Sequence, residues 1–105
     1  MDLNLVSASA EERIYACRLA PDDACFHEHF PDNPVLPGSL VAALSLQVVR
    51  EDFGRTDALR VERFTFRRFA APGAYELRIT ADDGAFRCRL LQENIIHAEG
   101  RITCV

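Results

Sequence analysis

The sequence contains 105 residues, of which 49% are hydrophobic and 27% are charged, and its formal net charge is −4. This composition fits one globular domain over residues 1–105 and excludes a disordered chain. The negative charge argues against a nucleic-acid ligand held by bulk electrostatics. No apolar run reaches membrane-spanning length, and the N-terminus lacks a basic, cleavable leader. We therefore expect a cytoplasmic protein that binds neither nucleic acid nor membrane.

The first half of the sequence predicts a strand, a rigid loop and a helix. "RIYACRL" (13–19) is short and apolar, as strands are. Four prolines follow within 20–38, and each fixes its own φ and restricts the preceding residue, so this loop has a set path. "SLVAALSLQVVREDFG" (39–54) predicts a helix of about four turns that starts at Gly38 or Ser39 and has Gly54 as its C′ residue. Because it is apolar almost all round, we expect burial on most sides.

The second half alternates polar and apolar residues with the period of strands. Four strands are predicted, at 59–69, 75–80, 86–90 and 95–105. "DDG" (82–84) is a hairpin signal between the second and third of them.

The last strand has one predicted apolar face, formed by Ile96, Ala98, Gly100, Ile102 and Cys104. This alternation places His97 on the opposite, solvated face. The complete order predicts an α+β fold in which an antiparallel sheet of about five strands wraps one long central helix. Such a sheet is too small to cover the helix and close its own edges, so we expect at least a dimer.

The loop and the helix start contain a specific motif. "HFPDNPVLPGSLVAALSLQ" (29–47) resembles the active-site segment of the 3-hydroxyacyl-[acyl-carrier-protein] dehydratases, which have the hotdog fold. The family pattern is H-F-x-G-x-P-x-x-P-G, followed by Leu, an acidic residue, Ala and a closing Gln. "FTFRRFAAPGAYELRI" (64–79) is similar to the family's F-x-F-x-x-P-V-x-P-G-D-x-L. The resemblance covers about residues 26–80 and implies the hotdog fold.

The resemblance also implies a role for individual residues. His29 would be the base that removes the C2 proton of a 3-hydroxyacyl thioester. The N–H of Gly38, at the helix N-terminus, would stabilise the negative charge on the thioester carbonyl. The substrate-binding residues would be Phe30, Pro37, Leu40, Ala43 and Gln47. Because the prosthetic arm arrives with an acyl carrier protein or coenzyme A, we expect no cofactor and no metal of the protein's own.

The acid of the family is missing from this sequence. It lies fourteen residues after the histidine, where this chain has Ala43. Loss of a positioned general acid costs about 10²–10⁴ in rate. Candidate substitutes that are near in sequence are Glu28, Asp32, Ser39 and Ser45.

Four interpretations are therefore open. The protein is a dehydratase that uses another acid, or it pairs with a paralogous hotdog chain whose carboxylate faces His29, since histidine and acid come from different chains in this family's dimers. Alternatively, it binds acyl chains or carrier protein without catalysis, or it is a hotdog thioesterase. The leading interpretation is the dehydratase-like protein, which would act on acyl thioesters in fatty acid or polyketide-type biosynthesis. Homodimer and heterodimer are both compatible with the sequence.

Two further groups of residues have a structural and a functional interpretation. The arginine cluster (Arg60, Arg63, Arg67 and Arg68) is either a solvated strand face or a docking patch for an acidic carrier protein. His27 and His29 lie on the same side of an extended loop, but the sequence offers no third ligand, so no metal site is predicted.

The cysteines are the last group. They contain no CxxC pair and are expected to be buried, reduced thiols; they are Cys17, Cys25, Cys88 and Cys104. Tyr15 and Tyr75 are expected to pack in the core or at an interface.

Overall fold

A computed structural model of the chain describes residues 2–20, 38–68 and 70–104, with the side chains of Asp2, Gly38 and Ser39 left aside. Segment 21–37 lies outside the described residues. Among the predicted site residues, those that fall there are His29, Phe30 and Pro37, together with the candidate acids Glu28 and Asp32.

The described part of the chain forms one antiparallel sheet and one helix. The elements in chain order are β1 (Asp2–Ala8), β2 (Glu12–Leu19), α1 (Gly38–Glu51), β3 (Leu59–Phe66), β4 (Gly73–Asp82), β5 (Ala85–Gln92) and β6 (Ile95–Cys104). The strand order across the sheet is β1-β2-β4-β5-β6-β3, which leaves β1 and β3 at the two edges. The α+β class is confirmed, but the sheet has six described strands where about five were predicted.

The predicted alternation sets the buried face of the sheet. In β4, Tyr75, Leu77 and Ile79 are buried, while the residues between them are only partly covered. Both tight hairpins have two consecutive residues with positive φ, as two-residue turns of the I′ type require. The residues in these turns are Asp83 and Gly84 (φ 47° and 80°) and Glu93 and Asn94 (φ 52° and 65°). The hairpin predicted from "DDG" is therefore present.

The missed strand is β1. Leu3 and Leu5 pair with Cys17 and Tyr15 of β2, so their alternation has the period of a strand. The register then shifts between Leu5 and Ser7, which leaves Val6 extra and 67% exposed. A bulge of this kind breaks the period of two, and the segment no longer reads as one continuous strand.

The helix is shorter and less buried than predicted. It has 14 residues, so the prediction of a long central helix is wrong. Its buried stripe consists of Val41, Ser45, Val48 and Val49, which recur at helical spacing. The Ser45 hydroxyl donates to the Val41 carbonyl at 2.8 Å, which satisfies this buried polar group within the helix.

The end of the helix is fixed against the sheet by an aromatic contact. Phe53 packs on Phe86 of β5, with ring centroids 4.9 Å apart. The guanidinium of Arg13 lies 4.7 Å from the centroid of the Phe53 ring. Gly54 has φ 67°, the left-handed conformation expected of a residue just past a helix.

The edge strand β3 contains a second bulge. Its register with β6 shifts between Glu62 and Thr65, and Arg63 has φ 51°. The extra residues place the ring of Phe64 directly against the backbone of Gly100 in β6, where any added Cβ would overlap the ring. Gly100 is therefore required by close packing and not by backbone conformation.

Replacing Gly100 with Ala is expected to lower the free energy of unfolding by about 1–3 kcal/mol, because the added methyl overpacks the Phe64 ring. Chemical denaturation measures the change. The double variant Gly100→Ala/Phe64→Leu should recover part of the loss, because it removes ring atoms from the overlap. Equal stability of wild type and Gly100→Ala would show that the Phe64 ring does not rest on Gly100.

Candidate active site

The helix N-terminus is the part of the predicted site that the structure describes best. α1 begins at Gly38, as predicted, and its first turn contains no acidic residue. The first N–H groups of a helix have no intrahelical acceptor and lie at the positive end of its dipole. This end of α1 therefore offers backbone donors to an oxyanion such as a polarised thioester carbonyl.

Two contacts fix the direction of α1 across the sheet. Phe53, beyond the helix C-terminus, packs on Phe86 near the start of β5, whereas Ser45 lies beside the Cys88 thiol further along that strand. The helix therefore runs opposite to β5, and its N-terminus at Gly38 lies toward the C-terminal end of that strand. That end of the sheet is also where β2 finishes at Leu19, directly before segment 21–37.

The predicted substrate-binding residues on α1 fall into two groups. Leu40 is half-buried and packs against the core. Ala43 and Gln47 lie one turn apart on the exposed side of the helix, and the Gln47 amide donates to Glu51 at 3.3 Å. The helix is therefore buried along one stripe, not on most sides, and position 43 does not face the chain's own sheet.

No described residue of α1 brings a carboxylate to position 43. The only acidic residue of the helix is Glu51, two turns further on, where it accepts from Gln47. Ser45, considered as a substitute acid, lies on the opposite stripe and donates to the Val41 carbonyl. The described side chains of the helix thus offer no carboxylic acid at position 43.

His97 is a residue for which the sequence prediction is wrong. It is only 9% exposed, and its ring meets the Tyr75 ring edge-on with centroids 5.3 Å apart. The cause is a register shift in the β5–β6 pair: Leu90 pairs with Ala98 and Leu91 with Ile96, so His97 is an extra residue. A bulge re-aims the side chain that strict alternation would place in solvent.

Two tyrosines add phenol groups to the same interior. Tyr75 donates from its hydroxyl to the Ala71 carbonyl at 2.7 Å, and burial raises the pKa of the Tyr75 phenol. The hydroxyl of Tyr15 is buried and has no hydrogen-bond partner in the structure. Both residues belong to the core, as predicted. Tyr75 and His97 together bring protonatable groups to the end of the sheet toward which α1 begins.

Comparison of the sequence with protein families identifies the family of this chain. The profile of the ApeI-like family, described as ApeI dehydratase, matches residues 6–101 of the 105. The chain belongs to the ApeI-like dehydratase family. No functionally curated protein matches the chain.

Solved structures show the same fold at low sequence identity. A chain of the dehydratase heterocomplex ApeI:P from Xenorhabdus doucetiae has a TM-score of 0.84 at 20% identity, with all of both chains covered. An uncharacterized protein from Erwinia carotovora subsp. atroseptica has a TM-score of 0.69 at 19% identity, with 97% of this chain and 90% of that one covered.

A third similar structure belongs to a larger chain. The dehydratase domain of PpsC from Mycobacterium tuberculosis, in complex with C12:1-CoA, has a TM-score of 0.79 at 18% identity. The alignment covers 98% of this chain and 42% of that one. These likenesses establish the hotdog fold that the sequence motif predicts.

Three further features were considered in the sequence: the arginine cluster, a metal site and a membrane span. The members of the arginine cluster are all exposed, as a solvated face requires, and Arg67 pairs with Glu99 at 2.7 Å. Among the described residues, no group of three His, Cys, Asp or Glu side chains could hold a metal ion. No helix in the described ranges is long and apolar enough to cross a membrane.

The described cysteines differ in exposure. Cys17 and Cys88 are buried, while Cys104 is partly exposed and accepts a hydrogen bond from Arg55 at 2.8 Å. Burial raises the pKa of the Cys88 thiol to about 12, although a hydrogen bond with Ser45 opposes this shift. Because the thiolate is the reactive species, Cys88 is an inert packing residue.

Alkylation of the native protein at about pH 8 should therefore modify the partly exposed Cys104 faster than the buried Cys88 and Cys17, even though a hydrogen bond with Asp57 raises the pKa of the Cys104 thiol. Mass spectrometry of peptides after a timed iodoacetamide pulse measures the difference, and the same pulse in denaturant should label all four cysteines of the chain. The Cys104→Ser variant is the control for the fast site. Rapid native labelling of Cys88 would contradict its burial under α1.

Proposed function

We propose that this chain is a subunit of a 3-hydroxyacyl thioester dehydratase, with His29 as base and the Gly38 N–H as oxyanion donor. A second hotdog chain contributes the general acid. The observation that carries the proposal is the position of Ala43: it lies on the exposed side of α1, where the family has its acid, and it bears no carboxylate.

The two chains contribute different catalytic groups to the reaction. His29 removes the proton from C2, and the thioester carbonyl gains negative charge that the helix N-terminus stabilises. The C2=C3 double bond then forms as the C3–O bond breaks. The hydroxyl leaves as water after it receives a proton from the partner's carboxylic acid. The base and the oxyanion donor thus belong to this chain, and only the acid is missing.

The fold supports a partner at this side of the helix. Ala43 and Gln47 face away from the chain's own sheet, so a group that acts beside them comes from outside that sheet. In the family that the motif resembles, the histidine and the acid of one site come from different chains. The similar Xenorhabdus doucetiae structure is a dehydratase heterocomplex.

The substrate class follows from the same relationship. A 3-hydroxyacyl group on acyl carrier protein, in polyketide-type or fatty acid biosynthesis, fits the motif. The alternative of thioester hydrolysis needs a carboxylate that activates water, and α1 has none near position 43. The arginine cluster is a candidate contact for the acidic carrier protein.

Mixing this chain with a family member that has the acid should give dehydration of 3-hydroxyacyl carrier-protein substrates at least about 10²-fold faster than this chain alone. Mass spectrometry follows the loss of water. His29→Ala in this chain should remove the activity of the site that it completes, and His27→Ala is the matched control. Because the partner's own homodimer retains a complete site, the assay uses a partner whose equivalent histidine is replaced by Ala. Activity that survives His29→Ala would refute the assignment of the base.

Restoring the acid offers an independent test. The variant Ala43→Glu should raise turnover by this chain alone by about 10²-fold, because it places a carboxylate at the family's position. The site is an exposed helical one, so the substitution should change the free energy of unfolding by less than about 0.5 kcal/mol. Arg50→Glu, two turns away on the same side, is the control. No gain with Ala43→Glu in a folded dimer would argue for a binding subunit without catalysis.

A further inference from the structure

A second polar site lies on the outer face of the sheet. A pocket of about 200 Å³ opens there, and the charged side chains that line it are Arg63, Arg87, Arg101, Asp82 and Glu99. Arg87 and Arg101 alternate with the buried Phe86, Cys88 and Ile102, which places them on the face opposite α1. The pocket is therefore separated from the helix N-terminus by the sheet itself.

The bulge in β3 shapes this pocket. The chain leaves the regular β3–β6 ladder between Glu62 and Thr65, and Arg63 is held at φ 51°. A left-handed conformation at a residue with a side chain is uncommon and costs about 1–3 kcal/mol when the surroundings enforce it. The result is that Arg63 joins the arginines of β5 and β6 around one cavity.

The arrangement of the arginines destabilises the sheet. Arg87 of β5 is the direct cross-strand partner of Arg101 of β6, and like charges in this relation destabilise a sheet. The adjoining rung repeats the pattern, since Arg78 of β4 lies opposite Arg89 of β5. Burial, and then the charges of Arg87 and Arg78, lower the pKa of Arg89.

The carboxylates nearby leave part of this positive charge uncompensated. Glu99 pairs with Arg67 at 2.7 Å and more weakly with Arg87 at 3.8 Å. Within the described part of the chain, neither Arg63 nor Arg101 takes part in a salt bridge. The pocket thus contains three guanidinium groups against two carboxylates, in a chain whose formal net charge is −4.

We propose that this pocket binds the phosphate group of a small phosphorylated ligand. Guanidinium groups present planar pairs of N–H donors that match phosphate oxygens, and a doubly charged anion would relieve the repulsion between Arg87 and Arg101. Asp82 and Glu99, which also line the pocket, can accept hydrogen bonds from hydroxyl groups next to the phosphate. The ligand class is therefore a phosphate ester that bears hydroxyls. The inference does not depend on the proposed dehydratase activity, because the two sites lie on opposite faces of the sheet.

Titration of the full chain with inorganic phosphate, pyrophosphate and ribose 5-phosphate tests this assignment. Calorimetry should show saturable binding, tightest for ribose 5-phosphate because among the three probes it alone has sugar hydroxyls, and backbone amide NMR shifts should centre on Arg63, Gly100 and Arg101. Arg101→Gln should weaken binding by about tenfold, since it removes charge-assisted hydrogen bonds. Arg50→Gln, an exposed arginine on α1, is the matched control and should bind like wild type.

Thermal unfolding provides the complementary measurement. Arg101→Gln removes the like-charge pair, so its Tm without ligand should equal or exceed that of wild type. Pyrophosphate should raise the Tm of wild type and of Arg50→Gln more than that of Arg101→Gln. If Arg101→Gln fails to fold, Arg63→Gln replaces it in both experiments. Absence of saturable binding for all three probes, or an equal loss in Arg50→Gln, would overturn the proposal and leave a solvated charged face.

Discussion

The contact between one stripe of α1 and the buried face of the sheet organises the molecule. Val41, Val48 and Val49 are almost fully buried there, together with Leu77 and Leu90 of the sheet. Each such side chain contributes about 1.5–3 kcal/mol through burial, so the stripe determines which way the helix is rotated. That rotation leaves the opposite stripe outside the core, while the contacts of Phe53 and Ser45 with β5 direct the helix N-terminus toward the end of β2. The proposed division of the candidate active site between two chains rests on this exposed stripe.

Sequence patterns predicted the parts of the fold whose periodicity is unbroken. β4 and β5 alternate regularly, the turn at Asp83 and Gly84 has the residues that its backbone requires, and α1 begins at Gly38 as expected. The patterns failed where a bulge adds a residue. Such a residue hid β1 at Val6 and reversed the face expected for His97. Bulges depend on pairing with a distant strand, which local alternation does not contain.

The candidate site shows a similar limit. The motif predicted the dehydratase family, which the family comparison confirms, whereas the base, the oxyanion donor and the missing acid stay predictions from residue identity and spacing. Helical composition alone suggested burial on most sides, yet Ala43 and Gln47 lie on the exposed side. Only the packing of α1 against the sheet determines which stripe of the helix is buried and which is exposed. The burial of Ser45 beside Cys88 likewise needs the strand that crosses beneath the helix.

The interrupted edge of β3 also affects how the protein behaves at high concentration. An edge strand offers free N–H and C=O groups to any extended segment, and long flat edges promote uncontrolled sheet growth. Here the kink at Arg63 divides the edge, and the charges of Arg60, Glu62 and Arg63 lie along it. A strand of another molecule can pair with only a short length of β3 before the bulge interrupts the hydrogen-bond register. The same local irregularity therefore protects the chain against aggregation through its edge.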